Sequence, residues 1–433
     1  MPASLGHASS TLTLHRAPWL VMPGGGGEER GTGVVTLVAD GGLVLAGQEI
    51  EAAGRFRDLR EKFATARTID HEGTVLMPTL VNCHAHLELA LLGQGGDREP
   101  AVRQGSGDFP DWIRSLLARL AHGRDIEGAA WPERLVAAGR RDLDDMCRQG
   151  VGAVLDVGNR PASGEIGAAA PARTDFFLEM LGLSGRAEEK ALLQLKGDVP
   201  PGLACTPHAP YSCGPELLRA LKKRATAAHR LLTIHVAESA AEIEFLGRGC
   251  GPFRSFLTER GVLDDSFAVP GCGPVEYLDR LGLLDPDTLC VHGVHLAEQE
   301  IGILAARGAT LCLCPGSNRY LAVGRAPVER LLAAGVALVL GTDSRASNPV
   351  LSMWREMRLL REDHPGLHPA PVLAMATAGG ERLLRPAARR PGREAAYLEV
   401  RPPGDGPLAD HDQVLEFLTL EGEKAAIARV GNR

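Results

Sequence analysis

Two histidines, His84 and His86, close an apolar run that begins at Val75. Side chains two apart on a strand point the same way, so both imidazoles can grip one ion from one side. A pair alone makes a poor site, and further polar groups must join it. Five other apolar runs end in residues of ligand or acid–base type. They end in Thr206-Pro207-His208-Ala209-Pro210-Tyr211, His235-Val236-Ala237-Glu238, His292-Gly293-Val294-His295, Cys314-Pro315-Gly316-Ser317-Asn318 and Gly341-Thr342-Asp343-Ser344. Six such endings in register, of metal-ligand and acid–base types, point to a metal site at the strand ends.

The elements that must hold them read as strands alternating with helices. Eight strands are expected, at residues 75–77, 153–157, 175–181, 203–206, 231–236, 288–291, 310–313 and 337–340. Eight alternating strands close a (β/α)8 TIM-type barrel, an α/β fold whose chemistry sits at the C-terminal strand ends. Residues 76–384 are assigned to that barrel. Residues 1–75 and 385–433 read as strand-rich, the latter with a strand at 413–420, and are expected to pair into one small β-sandwich domain. Residues 247–284, rich in Gly and Pro, read either as a lid over the barrel mouth or as a plain surface excursion.

The bulk numbers exclude several partners. The chain has 433 residues, 44% of them hydrophobic, and a net charge of −7 from 47 basic and 54 acidic groups. No basic block favours nucleic acid or an anionic membrane. No apolar run reaches the roughly 20 residues that span a bilayer. The first 20 residues lack the pattern of a signal peptide. Nine cysteines, without a Cys-x-x-Cys pair, several inside apolar runs, fit a reducing cytoplasm.

From Val75 to Leu384 the chain resembles the amidohydrolase superfamily, in its metal-dependent aminohydrolase (deaminase) branch. The resemblance implies one divalent metal held by His84, His86, His235 and Asp343. It makes Glu238, in the motif His235-x-x-Glu238, the proton shuttle, and His292 the group that orients the attacking water. Asp343 helps to deprotonate that water. Three imidazoles and a carboxylate suit zinc, with ferrous iron as the alternative. A metal lowers the pKa of bound water to near ~7, so a hydroxide attacks at neutral pH. The fourth strand carries no Lys to bridge two metals, which favours a mononuclear deaminase.

Further segments are similar to the group of 6-aminodeoxyfutalosine and methylthioadenosine/S-adenosylhomocysteine deaminases. They are His84 to Leu89, Phe109-Pro110-Asp111-Trp112-Ile113, Phe177 to Gly182, and Ser317-Asn318-Arg319-Tyr320-Leu321. A small-molecule aminopurine nucleoside, 6-aminodeoxyfutalosine first, is the substrate this implies. Candidate substrate contacts are Glu88, Trp112, Glu179, His208, His295, Ser317, Asn318 and Arg319. Trp112 could cover the base, and Arg319 could meet a carboxylate. A homodimer is open, since members of the group are often dimers or larger. The alternative enzyme is a related hydrolase acting on another ring C–N or C–Cl bond or a cyclic amide. A catalytically silent barrel with an assembly role should have lost ligands, and here every ligand and acid–base position is filled.

Overall fold

The computed structural model describes residues 12–24, 35–47, 49–93, 108–384, 397–404 and 406–431. The N-terminal part is a run of strands: β1 (Leu12–Pro23), β2 (Val35–Ala46), β3 (Glu49–Arg55), β4 (Arg67–Asp70) and β5 (Val75–Pro78). Then come two four-stranded parallel sheets. The first holds β6 (Leu80–Ala85), β7 (Val151–Gly158), β8 (Arg173–Met180) and β9 (Ala204–Pro207); the second holds β10 (Leu232–Val236), β11 (Thr288–His292), β12 (Thr310–Leu313) and β13 (Ala337–Leu340). The C-terminal part adds β14 (Tyr397–Arg401) and β15 (Ala426–Arg429).

The fold is a TIM-barrel-like α/β arrangement. Helices follow most of the parallel strands, as parallel connections require. Alternate residues of both sheets meet in one inner core, including Val81 and Cys83, Leu155 and Val157, Leu289 and Val291, and Cys312 and Cys314. At the seams between the sheets, Thr342 N–H and Asp343 N–H both donate to the His84 carbonyl at 3.0 Å, and His235 N–H donates to the His208 carbonyl at 2.9 Å. Main-chain bonds at both seams thus bring the ends of β6, β9, β10 and β13 together.

The first expected strand is corrected here. Residues 75–77 do not pair with a parallel-sheet strand. They lie in β5, parallel to β1 and antiparallel to β14. The strand that delivers the histidines is β6, beginning two residues after Pro78. Pro78 has no N–H for a ladder, which suits a strand end. The terminal segments meet in one seven-stranded sheet of order β15-β14-β5-β1-β2-β3, with β4 on β1. A second correction concerns residues 413–420. They form the helix His411–Glu416 and a π-turn, Phe417–Glu421. Asp410 caps this helix, its Oδ1 accepting from Gln413 N–H at 2.9 Å.

Three further helices surround the site. The helix Phe109–Glu127 enters with Pro110 at its start, and the excursion after β10 carries the helices Pro252–Glu259 and Pro274–Arg280. Arg114 bridges the first two, pairing with Glu259 at 2.9 Å and lying over the Phe256 ring. Among the described residues no helix is long and apolar enough to cross a membrane.

Candidate active site

Three imidazoles and one carboxylate converge where β6, β10 and β13 end. His235 Nε2 lies 3.1 Å from His84 Nε2 and 3.3 Å from His86 Nε2. Asp343 Oδ1 lies 3.8 and 3.7 Å from the same His84 and His86 nitrogens. Ligands about 2.0–2.1 Å from one tetrahedral ion sit ~3.4 Å apart, so this donor set fits a single small divalent metal.

The surroundings aim two of these groups. His235 Nδ1–H donates to the His208 carbonyl at 2.8 Å, which leaves Nε2 unprotonated for a metal. Asp343 Oδ2 accepts hydroxyls from Ser317 and Ser347, both at 2.7 Å, which leaves Oδ1 facing the histidines. Burial holds two of the imidazoles neutral: His84 titrates well below its ordinary range through desolvation and then its His86 neighbour. His235 is lowered to about 3, through desolvation and then the adjacent His208. Burial pushes the Asp343 carboxyl upward, but His86, His292, the Ser317 hydrogen bond and His235 together bring the net shift downward. Neutral imidazole and ionised carboxylate are the forms that bind a metal.

Three backbone turns at these strand ends are left-handed. Ala237 has φ 53°, His292 φ 75° and Asp343 φ 58°. Such a conformation costs a non-glycine residue roughly 1–2 kcal/mol and persists only where the surroundings enforce it. The two bonds to the His84 carbonyl fix Asp343. Ala237 N–H and Glu238 N–H donate to the two oxygens of Glu242, at 3.0 and 2.9 Å.

Beside this cluster stand a carboxyl and an imidazole. Glu238 Oε1 lies 3.4 Å from His292 Nε2. His292 Nδ1–H donates to Asn318 Oδ1 at 3.1 Å, which turns the Nε2 lone pair toward Glu238. Burial, then the Asp343 and Glu242 charges, push the Glu238 carboxyl well above the ordinary carboxylate range. Both groups open onto a cavity of about 480 Å³. His86, His235 and Asp343 also line it, beneath apolar walls from the helix Phe109–Glu127 and from Phe256, Leu257 and Val262 of the excursion.

Of the expected substrate contacts, Trp112, Glu179 and His208 line the cavity. Glu179 Oε2 accepts from Asn159 Nδ2 at 2.9 Å, and His208 Nδ1 lies 2.7 Å from Ser212 Oγ. The other five do not line it. Glu88 accepts from Asn159 N–H at 2.9 Å and Ser163 Oγ–H at 2.6 Å, which ties it to the loop after β7. His295 donates through Nε2 to the Val323 carbonyl at 2.8 Å. Ser317 and Asn318 hydrogen-bond Asp343 and His292. Arg319 is taken up by Asp363, Glu362 and the Leu359 carbonyl, so its guanidinium is already satisfied by carboxylates. Sequence reading missed Asn159, Ser347 and Glu242. Only Glu242 had a local signal, the capping-box pattern Ser239-x-x-Glu242.

Comparison with known proteins agrees with this geometry. Residues 75–387 match the Amidohydrolase family. A 5-methylthioadenosine/S-adenosylhomocysteine deaminase of Pelotomaculum thermopropionicum is 32% identical over 360 residues, covering 79% of this chain and 75% of its own. An aminodeoxyfutalosine deaminase of Deinococcus radiodurans is 30% identical over 372 residues, covering 82% and 83%. In shape, the chain is similar to the crystal structure of Helicobacter pylori aminofutalosine deaminase in complex with methylthio-coformycin. The TM-score is 0.73 at 23% identity, with 94% of this chain and 96% of that one covered. The chain belongs to the amidohydrolase family, and it is a hydrolytic aminohydrolase.

Proposed function

We propose that this chain removes ammonia hydrolytically from an aminopurine nucleoside-like compound, with 6-aminodeoxyfutalosine as the particular substrate. Water adds at the amine-bearing ring carbon, the C–N bond breaks, and the products are the oxo-purine and ammonia. One divalent ion, zinc ahead of ferrous iron, would be held by His84, His86, His235 and Asp343. Bound there, it supplies the Lewis acidity that makes a water nucleophilic at neutral pH.

The chain's own residues do the rest. Glu238, protonated through its burial, gives its proton to a ring nitrogen and later carries one to the leaving amine. His292 Nε2, facing Glu238, orients the attacking water. Glu179 and His208, on the cavity wall, bind the base and sugar, and Trp112 packs on the ring face. Glu238 standing 3.4 Å from His292 beside the four-donor cradle is the observation that carries this reading. A mere metal-storage barrel has no need of a buried carboxylic acid there.

The barrel is proposed to close through both seams, given the shared inner core. The terminal sheet is read as the small sandwich domain, with Leu20, Leu43, Leu76, Tyr397 and Val430 in its interior. The domain limits stay at 1–75, 76–384 and 385–433, with β5 attached to the small domain although its last residues cross the first limit. All nine cysteines are free thiols, which supports the cytoplasm as location. Ammonia release is the test, using adenine, adenosine, methylthioadenosine, S-adenosylhomocysteine, 6-aminodeoxyfutalosine, guanine and cytosine. Turnover of 6-aminodeoxyfutalosine above the others is expected. Turnover of none contradicts the deaminase mechanism.

A further inference from the structure

Glu242 has no part in the reaction described above, yet it is fully buried beneath the reacting groups. Its two carboxylate oxygens accept Ala237 N–H and Glu238 N–H, at 3.0 and 2.9 Å. Those two amides frame the left-handed turn at Ala237, φ 53°. The carbonyl of Ala237 accepts His295 N–H at 2.8 Å, so the turn is held from both sides. Glu242 is itself placed by Ser239, whose hydroxyl accepts Glu242 N–H at 3.3 Å at the start of the helix Ala240–Arg248. An ordinary capping box returns the carboxylate to the capping residue's own N–H. Here it reaches one and two residues further back, past Ser239, to the residue that carries the proton.

We propose that Glu242 is a positioning residue: it fixes the turn that sets the Glu238 carboxyl opposite His292, and so governs proton transfer in ammonia release. This rests on the aminohydrolase reading. The chemistry requires two acceptors side by side. A carboxylate supplies both, whereas an amide offers one oxygen and turns an NH2 group against the second N–H. Without the second acceptor, an alanine at φ 53° relaxes toward negative φ and swings the Glu238 side chain off its line to His292.

The test uses the full-length, metal-loaded chain with Glu242→Gln and Glu242→Asp. Displacing a catalytic group by about 1 Å costs on the order of 100-fold. Glu242→Gln is expected to lower kcat by about 10- to 100-fold, with KM within about twofold and metal content at the wild-type level. The limb of the pH–rate profile that reports Glu238 should move in the same variant. Glu242→Asp keeps two acceptors on a shorter stem and should recover part of the loss. A kcat within about twofold of wild type in Glu242→Gln overturns the proposal. Metal loss in proportion to activity in both variants also overturns it, because Glu242 would then only support the fold. Absence of ammonia from the wild-type chain would remove the aminohydrolase reading and this proposal with it, an outcome separate from the other two.

Discussion

At the scale of single residues, the site depends on what burial does to charge. Burial keeps His84 and His235 neutral, and Asp343 is shifted toward its ionised form, which suits both to a cation. Burial pushes the Glu238 carboxyl well above the ordinary carboxylate range, which favours the protonated form that the proposed acid role needs. Replacing Glu238 by Gln preserves shape and removes the transferable proton. Metal content should stay unchanged while kcat falls by about 10²- to 10⁴-fold, the usual worth of a positioned acid–base group. Steady-state kinetics beside elemental analysis would check this, and an unimpaired Glu238→Gln enzyme contradicts the mechanism. The converging residues were legible because a strand end gives its side chains a fixed direction. Arg319 misled for the opposite reason. Its partner Asp363 lies 44 residues away on another helix, and no local pattern reveals that a guanidinium is already engaged.

At the scale of elements, buried carboxylates tie down the strand ends. Asp156 accepts Leu87 N–H after β6, Glu88 accepts Asn159 N–H after β7, Glu242 holds the turn after β10, and Glu356 accepts Gly316 N–H after β12. Each satisfies main-chain donors that a buried loop would otherwise leave unpaired, at a cost of about 1–3 kcal/mol apiece. Packing against β6 is equally tight. A methyl group on Gly380 would sit 2.6 Å from Val81 Cβ and 2.9 Å from Cys83 Sγ. Gly380→Ala should therefore destabilise the chain by roughly 1–3 kcal/mol, read as a lower urea midpoint. An unchanged midpoint would show that the helix Ala378–Glu381 shifts freely from β6. Seven of the eight parallel strands were legible within a few residues, because buried β-branched runs between turn signals are strong markers. The first was misplaced because residues 75–85 form one nearly continuous apolar stretch that the chain divides at Thr79 between two sheets. Residues 413–420 are helical instead because Val414, Leu415, Phe417 and Leu418 fit helical spacing and Asp410 caps the first turn.

At the scale of the whole molecule, the two ends of the chain are joined through a buried polar chain. His15 Nδ1 lies 2.8 Å from His71 Nε2, and His71 Nδ1 lies 3.0 Å from Glu399 Oε2. His15 is lowered to about 4, by desolvation first and then by His71, with Arg67 adding and Glu399 opposing. The unfolded chain binds this proton near pH 6.5 and the folded chain only near 4. Its contribution is present above pH 6.5 and is lost as pH falls toward 4. Urea unfolding at pH 7, 5.5 and 4.5 should show falling stability, with a shallower fall in His15→Leu. Identical slopes in the two chains would show that His15 is not held neutral by the fold.

The central claim, a single metal gripped by four residues from three strand ends, is tested most directly by elemental analysis of the purified chain. About one zinc or iron per chain is predicted, removed by a chelator together with ammonia release and restored with it. A chain that holds no metal, even after reconstitution, would contradict the account.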